Sequence, residues 1–211
     1  SDHEELQSYC ESREITFLST PFDSESVDML VDIGVPAIKL GSGELNNFPL
    51  LEHVAETDLP MIVSTGMGTI DEVKSAHDRI QAVNSSTDVV FLHCTTSYPC
   101  SLDNVNLHAM KTMAKELPVP VGYSDHTTLP ETPALAVAAG ASVVEKHFTM
   151  DRSLPGPDHK ASLEPDELTR AVDLIKKATK ILGRSKKRPT STELQIRKKI
   201  RKGLYAAVDI D

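Results

Sequence analysis

The chain has no Cys-x-x-Cys pair, no glycine-rich loop ending in Lys-Ser/Thr, and no apolar run near the length of a membrane span. Its three cysteines, Cys10, Cys94 and Cys100, do not make an even framework, so a reducing, cytoplasmic setting is expected. Cys94 sits inside an apolar run and reads as a packed thiol rather than a nucleophile. A membrane helix needs roughly 20 consecutive apolar residues, and a membrane partner is therefore not expected. The polar, acidic opening over residues 1–14 does not read as a signal peptide. Without the phosphate loop, nucleotide chemistry of that type is excluded. Aromatic residues make up only 4% of the chain. They are scarce where basic charge accumulates: residues 184–202 hold nine Lys or Arg and one acid, Glu193. That stretch follows a long helix and reads as a solvated linker, so no nucleic acid partner is expected. Residues 1–183 have the opposite balance, 13 basic against 28 acidic side chains.

What is present is an α/β pattern in a chain of 211 residues, long enough for one domain with a sizeable core. Six short apolar runs recur with amphipathic stretches between them. They are Thr16-Phe17-Leu18, Ala37 to Leu40, Met61-Ile62-Val63, Val89 to Leu92, Val119 to Gly122, and Ser142 to Glu145. Runs that do not alternate suit strands buried on both faces. Ser24 to Leu30 starts with a capping residue and early acids. Glu164-Pro165 opens a last long helix that should end at about Leu182, before Gly183. Gly34 to Lys39 and Gly140 to Lys146 form a weak repeat in which glycine ends a helix, a strand follows, and charged residues close it. Strict βα alternation predicts a parallel sheet, either doubly wound or a (β/α)8 barrel. Polar residues cluster after every strand rather than at one switch point, which favours the TIM barrel.

Two segments carry the most chemistry: Ser124-Asp125-His126 and Glu145-Lys146-His147-Phe148. Each ends a predicted strand, and the helix-like stretch Thr127 to Ala139, then Gly140, lies between them. One β-α-β step would place both histidines at the same edge of neighbouring strands, where ligands bind in such folds. Two imidazoles there can hold a divalent metal, although two unrelated histidines would look the same in sequence. The other strand ends are rich in hydroxyls and glycine: Ser19-Thr20, Gly41-Ser42-Gly43-Glu44, Ser64-Thr65-Gly66, and Thr95-Thr96. With Lys39 as point charge and Ser42, Ser64 and Ser124 as donors, they read as an anion cradle. Glu44 is the candidate for proton transfer, its alternative being a loop carboxylate that caps the next helix. Pro155-Gly156-Pro157-Asp158 makes a rigid turn presenting Asp158, and Tyr98-Pro99 either contacts substrate or wedges its loop.

At these residues the chain resembles the sialic acid synthase family, whose members condense phosphoenolpyruvate with an N-acetylated mannosamine. The likeness is carried by Phe17-Leu18-Ser19-Thr20-Pro21-Phe22, Lys39-Leu40-Gly41-Ser42-Gly43-Glu44, Ser64-Thr65-Gly66-Met67, His93-Cys94-Thr95-Thr96-Ser97-Tyr98-Pro99, Gly122-Tyr123-Ser124-Asp125-His126-Thr127, Glu145-Lys146-His147-Phe148-Thr149 and Pro155-Gly156-Pro157-Asp158. It implies that His126 and His147 hold a catalytic Mn²⁺ or Mg²⁺, with Glu145 and Asp125 supporting them. It implies a phosphoenolpyruvate pocket of Lys39, Thr20, Ser42, Ser64 and Ser124. Glu44 and Lys39 would be catalytic, and Tyr98, Asp158 and Thr96 would meet the sugar. Thr96 departs from the asparagine that some members carry there. The substrate would be N-acetylmannosamine or a related 2,4-diacetamido sugar, and the products a nonulosonic acid and phosphate.

The family barrel opens with two βα units before Phe17-Leu18-Ser19-Thr20. Residues 1–183 are therefore expected to form a partial TIM-barrel catalytic domain that lacks those units. Residues 184–211 are expected to be a basic linker and the start of an antifreeze-like domain, entered at Arg201 to Ile210. The family further implies a homodimer at full length and an inactive chain when only residues 1–211 are present. Two other readings compete: a different phosphoenolpyruvate- or metal-dependent barrel aldolase, in which Lys39 could serve as a Schiff-base lysine, and an inactive barrel fragment acting as a binding module.

Overall fold

The structure, a computed structural model, describes residues 2–204 and 206–209. It divides into two compact units, residues 1–181 and residues 182–211. The first unit opens with α1 (Asp2–Ser12) and α2 (Ser24–Asp32). Strands and helices then alternate: β1 (Ile38–Leu40), α3 (Phe48–Ala55), β2 (Met61–Ser64), α4 (Ile70–Val83), β3 (Val89–His93), α5 (His108–Glu116), β4 (Val121–Asp125), α6 (Thr132–Ala139) and β5 (Val144–Lys146). Helix α7 (Pro165–Leu182) follows, and Gly183, at φ +60°, lies where it stops.

Among the described residues all four strand pairings are parallel, and the order is β1-β2-β3-β4-β5 without reversal. A doubly wound sheet would reverse its order at a switch point, whereas a barrel adds each strand beside the last. Curling is evident from one ion pair. In a flat sheet β1 and β5 would lie about 19 Å apart, at roughly 4.8 Å per strand. Yet Lys39 Nζ on β1 is 3.4 Å from Glu145 Oε2 on β5. The sheet is therefore a curled half-barrel with its first and last strands facing across the interior.

Alternation along the strands sorts the side chains. Ile38, Leu40, Met61, Val63, Val89, Phe91, Val121 and Tyr123 point outward and form the core with Val27, Leu30, Leu51, Val54 and Ile80 from the helices. The residues between them point inward. Lys39, Ile62, Leu92 and Glu145 share one interior cavity with Leu18, Val143 and Val144. Burying both faces explains why the strand sequences carry little alternation.

The boundaries differ from the sequence reading in four places. Thr16 to Leu18 is extended but forms no ladder with β1 among the described residues. An extended segment becomes a strand only when its N–H and C=O groups pair with a neighbour. Here Phe17 packs on the core and Leu18 lies over the interior. The run from Val119 joins the sheet only at Val121, because Pro118 and Pro120 have no N–H to donate. Helix α6 starts at Thr132 rather than Thr127; Pro130 disfavours a helical residue before it, and the Thr127 hydroxyl turns to the Thr132 hydroxyl at 3.0 Å. Asp23, not Ser24, caps α2, accepting from the Ser26 N–H at 2.7 Å. The glycine repeat has a clear cause. Gly34 and Gly140 follow α2 and α6 at φ +79° and +111°, where a side chain would be strained.

The second unit contains α8 (Ser191–Ile200) inside the stretch read as a linker. Thr190 and Glu193 form a reciprocal cap: the Glu193 N–H donates to Thr190 Oγ1 at 3.2 Å and the Thr190 N–H to Glu193 Oε2 at 2.6 Å. Arg197, Lys198 and Lys199 lie in the last turn, where positive charge suits the helix dipole. Of the segment Arg201 to Ile210, Tyr205 and Ile210 lie outside the described residues. No helix among the described residues is long and apolar enough to cross a membrane.

Candidate active site

A cavity of about 330 Å³ opens where the strands end at their C-terminal edge. Lys39, Thr20, Ser42 and Ser64 line one side of it. Ser124, His126, Glu145, His147 and Tyr98 line the other. Parallel pairing produces this convergence, since every strand delivers its last residues to the same rim.

Lys39 is held from three directions. Its ammonium donates to the Leu40 carbonyl at 2.8 Å and to Ser64 Oγ at 2.9 Å, and it pairs with Glu145. Glu145 also accepts a 2.6 Å hydrogen bond from Ser124 Oγ. That bond follows from register, because Ser124 and Glu145 are direct partners between β4 and β5. Ser42 is tied to the neighbouring strand ends: its Oγ accepts from the Gly66 N–H at 3.0 Å and lies 3.2 Å from Cys94 Sγ. Gly66 has no room for a side chain, because a Cβ there would collide with Thr96 Oγ1 and come within 2.8 Å of Ser42 Oγ.

The two histidines stand together. Their ring centroids are 5.3 Å apart, and the Tyr98 ring lies 4.1 Å from His126 and 5.5 Å from His147. His126 Nδ1 is 2.7 Å from the Thr95 carbonyl. Nδ1 must therefore carry the proton, which leaves the Nε2 lone pair as an acceptor, 3.4 Å from Ser124 Oγ. Burial pushes the His126 pKa below the ordinary imidazole value, against the upward pull of that hydrogen bond, so the ring is neutral. The Cys100 N–H donates to the His126 carbonyl at 2.8 Å and ties the loop behind it. Tyr98 titrates above the usual phenol range because it is partly buried, with Asp158 and Glu145 adding to the shift.

Four residues proposed from the sequence are placed away from the cavity lining. Glu44 sits in a 3-10 turn and accepts from Asn47 Nδ2 at 2.6 Å, a contact at the start of α3. Asp158 approaches from the turn after β5, its Oδ2 3.9 Å from His147 Nδ1. Thr96 lies against Gly66 at the mouth. Asp125 is buried behind the rim, where it accepts from the Thr127 N–H at 3.0 Å, Thr127 Oγ1 at 3.2 Å and the Tyr123 hydroxyl at 3.3 Å.

Lys146 was not singled out from the sequence. It is Asp125's partner in register, and its Nζ lies 3.0 Å from Asp125 Oδ2. The same ammonium donates to the carbonyls of Asp125 and Thr127. The pair is 7% and 0% exposed, and burial pushes the Lys146 pKa down against the pull of Asp125. Alternation offered the clue. Glu145 and His147 face inward, so alternation turns the Lys146 ammonium toward buried Asp125, although Lys146 still forms part of the cavity lining. Asp125 and Lys146 thus join the two strand ends that carry His126 and His147.

Comparison with known proteins gives a consistent result. The NeuB family model matches residues 1–187. An N,N'-diacetyllegionaminic acid synthase of Legionella pneumophila is 47% identical over 212 residues, covering 99% of this chain and 60% of the relative. The N-acetylneuraminate-9-phosphate synthase of Homo sapiens is 37% identical over 209 residues, covering 99% of this chain and 58% of the relative. The chain thus spans about three fifths of the length of these relatives. The crystal structure of an N-acetylneuraminic acid (sialic acid) synthetase from Leptospira borgpetersenii serovar Hardjo-bovis, in complex with citrate, superposes with a TM-score of 0.88 at 36% identity, over 95% of this chain and 70% of that one. With its half-barrel, its rim of hydroxyls around Lys39 and its paired histidines, the chain belongs to the NeuB family.

Proposed function

We propose that this chain carries the phosphoenolpyruvate and metal sites of a nonulosonic acid synthase, which condenses phosphoenolpyruvate with N-acetylmannosamine or a 2,4-diacetamido relative. The observation that carries the reading is the juxtaposition of Lys39 with the His126–His147 pair at one strand-end cavity. In the overall reaction the enol carbon bonds to the sugar aldehyde carbon, water adds at the neighbouring carbon, and phosphate departs with its bridging oxygen. Lys39 supplies a fixed positive charge for the phosphate, because Leu40 and Ser64 hold its ammonium in place before the ligand arrives. Ser42, Ser64, Ser124 and Thr20 add hydroxyls within the same cavity.

His126 and His147 fit a divalent cation by donor chemistry: one ring is neutral with its tautomer fixed by Thr95, and the second lies beside it. Among the described residues no third His, Cys, Asp or Glu completes a metal-binding group, so water and substrate would fill the other positions. Nitrogen donors favour Mn²⁺ over Mg²⁺. Bound there, the cation would supply Lewis acidity toward a carbonyl oxygen. Tyr98 and Asp158, both beside His147, would meet the sugar in this reading. Glu44 as proton-transfer group belongs to the same reading, as do a homodimer and a cytoplasmic setting; three free cysteines agree with the last.

The competing aldolase reading uses Lys39 as a nucleophile, but its ammonium is committed to two acceptors and an ion pair. Calorimetry with phosphoenolpyruvate and Mn²⁺, together with borohydride treatment of the chain in the presence of a carbonyl compound (pyruvate, then N-acetylmannosamine) and mass spectrometry, separates the two. Phosphoenolpyruvate should bind and the carbonyl compounds should leave no adduct; a reduced adduct on Lys39 would replace this proposal with the aldolase.

A further inference from the structure

The cradle is already filled by an anion. Lys39 has three N–H donors: two go to the Leu40 carbonyl and Ser64, and the ammonium pairs with the Glu145 carboxylate. Ser124 has one hydroxyl proton, and it too goes to Glu145, at 2.6 Å. The point charge and a principal hydroxyl donor of the cavity therefore converge on one carboxylate. Two hydrogen-bonding oxygens and a negative charge are what a phosphate would present to the same groups. Unlike Asp125, which is buried and enclosed by partners, the Glu145 side chain is 36% exposed and lies at the cavity wall. It can leave without unpacking the core.

We propose that Glu145 holds the anion position of the Lys39 cradle and is displaced when a phosphate group binds. This rests on the reading of Lys39 as the phosphate site and adds a specificity device to it. A weak monoanion gains too little to replace a carboxylate already paired with Lys39 and Ser124. A phosphate, with more charge and more acceptor oxygens, displaces it and inherits both donors. Register makes the device possible, because Ser124 and Glu145 are opposite each other across β4 and β5 while curling brings Lys39 to them from β1.

The test is calorimetric titration with inorganic phosphate in metal-free buffer, using the 211-residue chain and its Glu145→Gln and Glu145→Ala variants. Glutamine keeps the size and an acceptor for Ser124 but removes the competing charge. Both variants should bind phosphate about tenfold tighter or more, since removing a nearby like charge from a partly buried site strengthens anion binding. Lys39→Ala should abolish binding in every background. Wild-type binding that the Glu145 variants match or weaken would overturn the displacement proposal and leave the phosphate site intact. If neither the wild type nor the variants bind phosphate, the phosphate site itself fails, and the displacement proposal with it.

Discussion

Replacing Lys146 with methionine is expected to lower the unfolding free energy by about 3 kcal/mol, the scale for removing one partner of a buried ion pair. Asp125 is fully buried, and without Lys146 its charge keeps only the Tyr123 and Thr127 hydrogen bonds. The carbonyls of Asp125 and Thr127 lose their donor in the same step. The double variant Asp125→Asn/Lys146→Met should recover a large part of the loss, because it removes the stranded charge. Urea midpoints of the three variants measure this. A loss below about 1 kcal/mol in the single variant would mean that the pair does not clamp the strand ends.

Lys39→Ala is expected to weaken phosphoenolpyruvate binding by roughly 30- to 100-fold, as a charge-assisted contact of 2–3 kcal/mol requires. Sugar affinity should stay within about threefold, because the proposed sugar contacts, Tyr98 and Asp158, lie beside His147 rather than at Lys39. Calorimetry with each ligand separately reads the two effects. Equal losses for both ligands would show that Lys39 supports the cavity as a whole rather than the phosphate.

The position of the two histidines was legible because a parallel β-α-β step leaves little freedom: the ends of β4 and β5 must share an edge. The hydroxyl rim was legible for the same reason, repeated strand by strand. The pairing of Lys39 with Glu145 was not, because it depends on curvature accumulated over five strands, and no local pattern reports that sum. Lys146 was readable from alternation but was overshadowed by the histidine beside it. Glu44 shows another limit. The spacing after Lys39 suggested a group aimed at the ligand, while the side chain here bonds to Asn47; one turn of 3-10 backbone decides the direction. Thr16 to Leu18 has strand composition, but composition cannot supply a hydrogen-bonding neighbour.

In the proposed function one strand-end cavity joins a two-histidine cation site to the Lys39 cradle. Electron paramagnetic resonance of free Mn²⁺ titrated with the chain tests it most directly. One Mn²⁺ per chain should be bound, His126→Ala and His147→Ala should each remove that binding, and phosphoenolpyruvate should alter the bound-ion signal in the wild type but not in Lys39→Ala. Stoichiometric Mn²⁺ binding that survives both histidine substitutions would contradict the assignment.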